Sequence, residues 1–148
     1  MLRTDETALV IIDVQGKLAT LMHEREELYR NLQILVRGAR ILELPVLWLE
    51  QYPEGLGPTI PEVAELLTDQ EPMAKLSFSG CGLEDFRQRL EQIGRRKLLV
   101  AGIEAHICVI PQRDCADGEI GCIPQFLTKL IRRDITGSTP WCAKVEDR

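Results

Sequence analysis

The sequence predicts an α/β fold, a mostly parallel sheet with helices packed on both faces in three layers. Three observations carry this. Short, nearly continuous apolar runs recur at residues 8–12, 46–49 and 97–101, the pattern of strands covered on both sides. Between them lie stretches whose apolar residues repeat every three or four positions, as in amphipathic helices. Each apolar run then ends on a polar residue or a glycine, at Asp13, Glu50 and Gly102. This strand–helix alternation calls for right-handed crossovers and a parallel sheet.

The elements follow in order. After the first strand, Leu28, Leu32, Leu35, Val36, Ala39 and Leu42 form one stripe and predict a helix over about 25–43. Pro45 restarts an extended run that ends at Glu50. Residues 51–61 hold three prolines and two glycines and predict a loop, longer than most connections. A short helix is expected over 62–67, a short edge strand over 73–78, and a helix over 83–93 that stops at Gly94. The strand at 97–101 leads through Gly102 to Cys108. Beyond it the alternation fails. Pro111, Gly118, Gly121 and Pro124 interrupt the expected helix, and only 124–133 keeps an amphipathic stripe. The chain therefore reads as one domain, with a regular core over 1–110 and an out-of-pattern tail over 111–148. Such a tail is what a stretch read out of frame, or a divergent replacement, looks like. Without further strands, the 97–101 strand is expected to be an unpaired apolar edge unless the 124–133 stripe or a second subunit covers it.

Composition narrows the function classes. The 148 residues suffice for one domain that buries roughly 68–70% of its unfolded surface. A net charge of −5 argues against a nucleic-acid surface. The basic clusters at 95–97 and 132–133 are short and fit solvated faces. The polar first six residues do not resemble a signal peptide, and the apolar run after them is too short to span a membrane. A reduced, cytoplasmic setting is the expectation for the five cysteines, which include no C-x-x-C pair. Cys115 and Cys122 have no histidine downstream, so zinc is not expected there. The loop after Asp13 lacks a glycine-rich phosphate-binding pattern, which disfavours a nucleotide-binding domain.

Chemistry concentrates at the strand ends, where open α/β sheets place their reactive groups. Cys108 is either a small core residue or a nucleophile, activated if a helix amino terminus or a cation lowers its pKa. Backbone N–H groups there could hold an oxyanion. Asp13 either caps the next turn or acts as general base to that thiol. Lys75 is a solvated surface residue or, if it points inward, a support for the Asp13/Cys108 pair. His106 fits a structural or substrate-lining role better than a Cys-His dyad, and Cys81 is a weaker nucleophile candidate without an evident partner. Glu50 and Glu104, ending or following strands, can line the same cleft.

Three segments, residues 9–15 (Leu-Val-Ile-Ile-Asp-Val-Gln), Lys75 ahead of Ser77-Phe78-Ser79, and residues 100–109 (Val-Ala-Gly-Ile-Glu-Ala-His-Ile-Cys-Val), resemble the isochorismatase-like cysteine hydrolase superfamily. Residues 51–59 (Gln-Tyr-Pro-Glu-Gly-Leu-Gly-Pro-Thr) are similar to its isochorismatase-domain-containing subgroup. The resemblance covers about residues 5–110. It implies a three-layer α/β/α fold around a six-stranded sheet, here lacking the last strands. It implies a catalytic triad of Asp13, Lys75 and Cys108 that hydrolyses a small amide or related C–N substrate through a thioester. A non-proline cis peptide is implied at Ile103–Glu104, turning N–H groups toward the oxyanion. Gln15, Glu50, Ile103, Glu104 and His106 are the candidates for substrate or oxyanion contact. No metal and no cofactor are expected. The expected partners are a small-molecule substrate and further copies of the chain, with neither nucleic acid nor membrane. The alternative is a catalytically idle relative that acts through protein association.

Overall fold

The computed structural model describes residues 3–103 and 120–122. Glu104, His106, Cys108, the Ile103–Glu104 peptide bond and the 124–133 stripe lie outside the described residues.

Strand β1 (Thr7–Ile12) is buried at all six positions, as its unbroken apolar run requires. Helices α1 (Gly16–Thr20) and α2 (Arg25–Ile41) lead to strand β2 (Val46–Gln51). Two short helical turns, α3 (Pro53–Leu56) and α4 (Pro61–Ala64), precede strand β3 (Met73–Lys75). Helix α5 (Glu84–Ile93) and strand β4 (Lys97–Gly102) complete the regular core, and β5 (Ile120–Cys122) adds a last strand. The sheet order is β3-β2-β1-β4-β5, with every pairing parallel.

Successive β1 side chains point to opposite faces and so divide between two cores. Leu9 and Ile11 pack with Leu28, Tyr29, Leu32, Val36 and Ala39 of α2 and with Val63. Ala8, Val10 and Ile12 pack with Phe86 of α5, and with Leu47, Leu98 and Val100. This places α2 and α5 on opposite sides of the sheet, the three-layer arrangement that the sequence predicts. Gly94 ends α5 in the left-handed region (φ 63°), its N–H donating to the Leu90 carbonyl.

Several boundaries differ from expectation. Helix α2 stops at Ile41, because Glu43 turns left-handed (φ 54°), and Leu42 is left exposed. The expected loop at 51–61 contains the turn α3, and the helix expected over 62–67 is the single turn α4, which starts one residue earlier and ends at Ala64; each begins with a proline at its first position. Strand β3 covers only Met73–Lys75, and Leu76 and Phe78 after it are exposed. Strand β4 extends through Gly102, where a Cβ atom would sit 2.1 Å from the Ile12 carbonyl oxygen. Only glycine permits that approach. Nor is β4 an unpaired edge: Leu98, Leu99 and Val100 stand in register with Ile120, Gly121 and Cys122. The three-residue β5 could not be anticipated because glycine at its centre gives it no apolar run. Among the described residues, no helix is long and apolar enough to cross a membrane.

Candidate active site

Strands β1, β2 and β3 deliver Asp13, Gln51 and Lys75 to the same carboxyl-terminal rim of the sheet. Asp13 follows the last residue of β1 and adopts a left-handed backbone (φ 55°), a conformation that aspartate tolerates better than most residues. Its N–H still donates to the Leu49 carbonyl of β2, 3.0 Å away, so the turn begins one residue after the ladder ends. The side chain is buried. Lys75 closes β3 and is 1% exposed, which overturns a solvated surface position.

The Lys75 ammonium lies 2.7 Å from Asp13 Oδ2. It also donates to Gln51 Oε1 at 2.8 Å and, more loosely, to the Ser77 carbonyl at 3.4 Å. Those three acceptors account for its three protons. Asp13 Oδ1 is buried and has no partner among the described residues. The carboxylate thus has one oxygen committed to a cation and one with acceptor capacity to spare. A buried pair of this kind is sensitive to loss of either member, because the remaining charge is left without compensation.

The other sequence candidates divide. Gln15 is fully buried, and its amide is spent on the loop: Nε2 donates to the carbonyls of Gln51 (3.0 Å) and Gly57 (2.7 Å), and Oε1 accepts from the Gln51 N–H at 2.6 Å. It anchors the chain after β2, so its side chain does not serve as the expected substrate contact. Glu50 is likewise buried, and its Oε1 accepts from the Thr59 N–H (2.6 Å) and hydroxyl (2.7 Å). The Thr59 hydroxyl in turn accepts from Trp48 Nε1 at 2.8 Å. Glu50 pins the loop onto β2 and does not line an open cleft. Ile103 is a core residue whose N–H donates to the Ile12 carbonyl at 3.3 Å, so that N–H is not free for an oxyanion. Cys81 lies in the turn Gly80–Gly82, where its N–H donates to Ser79 Oγ at 3.1 Å.

Gly102 stands in register with Ile12, the last residue of β1, and Asp13 follows directly. The end of β4 therefore lies beside Asp13. The loop after β2 is clamped onto the chain after β1 from several directions. Gly16 N–H donates to the Pro58 carbonyl, Gln15 forms a bridge with Thr59, and Ile60 N–H donates to the Val14 carbonyl. Gly16 is required there, since it has φ 38° and its Cβ would lie 2.3 Å from the Leu56 carbonyl oxygen. Sequence reasoning missed Gln51 and Thr59. The available signal for Gln51 was its place just after Glu50 at the end of β2, where the sheet presents its chemistry; Thr59, in the loop, carried no such signal.

The isochorismatase domain family matches residues 7–113. Isochorismatase domain-containing protein 2 of Danio rerio is 36% identical over 110 residues, 73% of this chain and 54% of that protein. The Homo sapiens protein of the same name is 40% identical over 77 residues, 51% of this chain and 36% of its own length. The chain spans about half the length, or less, of these relatives. Among solved structures, the MAR1 ribonuclease of Caenorhabditis elegans superposes with a TM-score of 0.74 at 26% identity, over 97% of this chain and 81% of that one. The YcaC protein of Escherichia coli, described as an octameric hydrolase of unknown specificity, superposes with a TM-score of 0.76 at 22% identity, over 82% and 63%. With the family model matching residues 7–113 and a relative 36% identical over 73% of the chain, the chain belongs to the isochorismatase domain family.

Proposed function

We propose that the chain is a cysteine-dependent hydrolase that opens a small amide or related C–N bond through a thioester on Cys108. The observation that carries this is the buried Asp13–Lys75 pair at 2.7 Å, with Asp13 Oδ1 unpartnered among the described residues. In the proposed cycle Asp13 takes the Cys108 thiol proton. The thiolate then attacks the substrate carbonyl carbon, and its oxygen becomes an oxyanion held by backbone N–H groups near Glu104 and Cys108. Collapse breaks the C–N bond, and the leaving amine takes the proton from Asp13. A water that gives a proton to Asp13 attacks the thioester, releasing the acid and, after proton return, the thiol. Lys75 holds the buried Asp13 carboxylate in place and compensates negative charge as it develops. No metal or cofactor enters this scheme.

A neutral-pH alkylation experiment tests it. Cys108 should react preferentially with iodoacetamide, and Asp13→Asn or Lys75→Ala should remove the preference. Reaction no faster than at the other free thiols overturns the hydrolase and favours an idle relative that works through association. The ribonuclease relative makes RNA the competing substrate. The net charge of −5 favours a small molecule. A homo-oligomer, as described for YcaC, and a cytoplasmic location belong to the same proposal.

A further inference from the structure

We infer that Gln51 is a positioning residue for Lys75, and that Gln15 locks Gln51 in place; this rests on the Asp13–Lys75–Cys108 hydrolase reading. Gln51 and Lys75 are register partners on the parallel strands β2 and β3, so their side chains leave the same face of the sheet. Lys75 must pass over the end of β2 to reach Asp13 on β1, because the sheet order is β3-β2-β1. Gln51 lies under that path, and its Oε1 accepts from the ammonium at 2.8 Å. The amide is oriented by its other end, since Nε2 donates to the Leu76 carbonyl at 2.9 Å.

The main chain of Gln51 is held just as firmly. On its other side, past the end of β1, the side-chain amide of Gln15 stands where a neighbouring strand would pair with Gln51. It accepts from the Gln51 N–H at 2.6 Å and donates to the Gln51 carbonyl at 3.0 Å. A third bond, to the Gly57 carbonyl at 2.7 Å, fixes the Gln15 amide itself. The Lys75 ammonium is therefore set by a relay of two neutral amides.

Neutrality matters here. A methylene chain at position 51 would leave a buried ammonium proton without its acceptor. A carboxylate would supply the acceptor but add a negative charge beside a site that must itself accommodate a thiolate and an oxyanion. Glutamine supplies the acceptor and leaves the positive charge of Lys75 for Asp13 and the reacting sulfur.

The test uses the full chain with Gln51→Glu and Gln51→Met. Two quantities are read: the pH dependence of Cys108 alkylation by iodoacetamide, and the 1H–15N signal of the Lys75 ammonium, assigned by its loss in Lys75→Met. Gln51→Glu should move the alkylation profile upward by roughly one pH unit. Gln51→Met should lose the slowly exchanging ammonium signal. Neither change follows from a merely structural role, and Gln51→Glu keeps the side-chain shape if Gln51→Met fails to fold. A wild-type profile together with a wild-type ammonium signal in natively melting variants overturns the inference. If instead Asp13→Asn leaves Cys108 alkylation unchanged, the hydrolase reading fails, and the response of the ammonium signal to Gln51→Met still decides the positioning role.

Discussion

Lys75 reaches Asp13 across an intervening strand. The two residues stand 62 positions apart, on β3 and β1, with β2 between them, yet Nζ and Oδ2 are 2.7 Å apart. Two strand spacings amount to roughly 10 Å. A long, unbranched side chain closes that gap, and its apolar stem can be buried while only the tip needs polar partners. Lysine also concentrates its charge at one point, which suits a single carboxylate oxygen better than the planar fork of arginine.

The first prediction concerns that pair. Lys75→Met should destabilise the fold by about 3–5 kcal/mol, because it strands a buried carboxylate. Adding Asp13→Asn to Lys75→Met should recover part of the loss, with a coupling of at least about 1 kcal/mol in a double-mutant cycle by urea unfolding. Strict additivity would show that the two charges do not stabilise each other.

Two glycines should respond in opposite directions. Gly102→Ala forces a Cβ against the Ile12 carbonyl oxygen at 2.1 Å, a backbone contact that cannot rotate away. A loss of about 1–3 kcal/mol or more is expected, from parting β1 and β4. Gly38 lies within α2 with nothing within 4 Å of its would-be Cβ. Gly38→Ala should raise stability by about 0.4–1 kcal/mol, chiefly by restricting the unfolded chain. Thermal melts of both variants check the pair of signs.

Tyr29 is a core residue of α2 whose hydroxyl is buried without a partner among the described residues, and burial pushes its phenol above the usual range. Tyr29→Phe keeps the ring and removes a group that gains nothing from being buried. The variant should be as stable as the parent or more so. A loss beyond about 1 kcal/mol in denaturant unfolding would mean that the hydroxyl has a partner after all.

Acid should weaken the start of α5. The hydrogen bond from Arg87, followed by that from Gln88, holds Glu84 below the usual carboxylate range. A carboxyl whose folded pKa is depressed contributes stability above its unfolded value of about 4.5, and that contribution is lost as pH falls through the folded pKa. Both side chains are exposed, so the effect is small. Glu84→Gln should flatten the melting-temperature decline below pH 4.5 and change little at neutral pH. A steeper decline in the variant would reverse the assignment.

What the sequence determined by itself is what local pattern encodes. The runs of β1, β2 and β4 and the stripes of α2 and α5 are visible because burial on two faces, or on one helical face, leaves a period in the chain. The same pattern put Asp13 and Glu50 at strand ends. It could not tell that Glu50 and Gln15 are spent on holding the 51–60 loop, since their partners Thr59 and Gly57 are chosen by how that loop folds back. Nor could the pattern decide between a solvated and an inward Lys75; the family resemblance alone grouped it with Asp13, because a lysine carries no local sign of the carboxylate awaiting it two strands away. Pairing β4 with β5 and aligning Gln51 with Lys75 were decisions of sheet register, which joins residues by position in space with no trace in their neighbours.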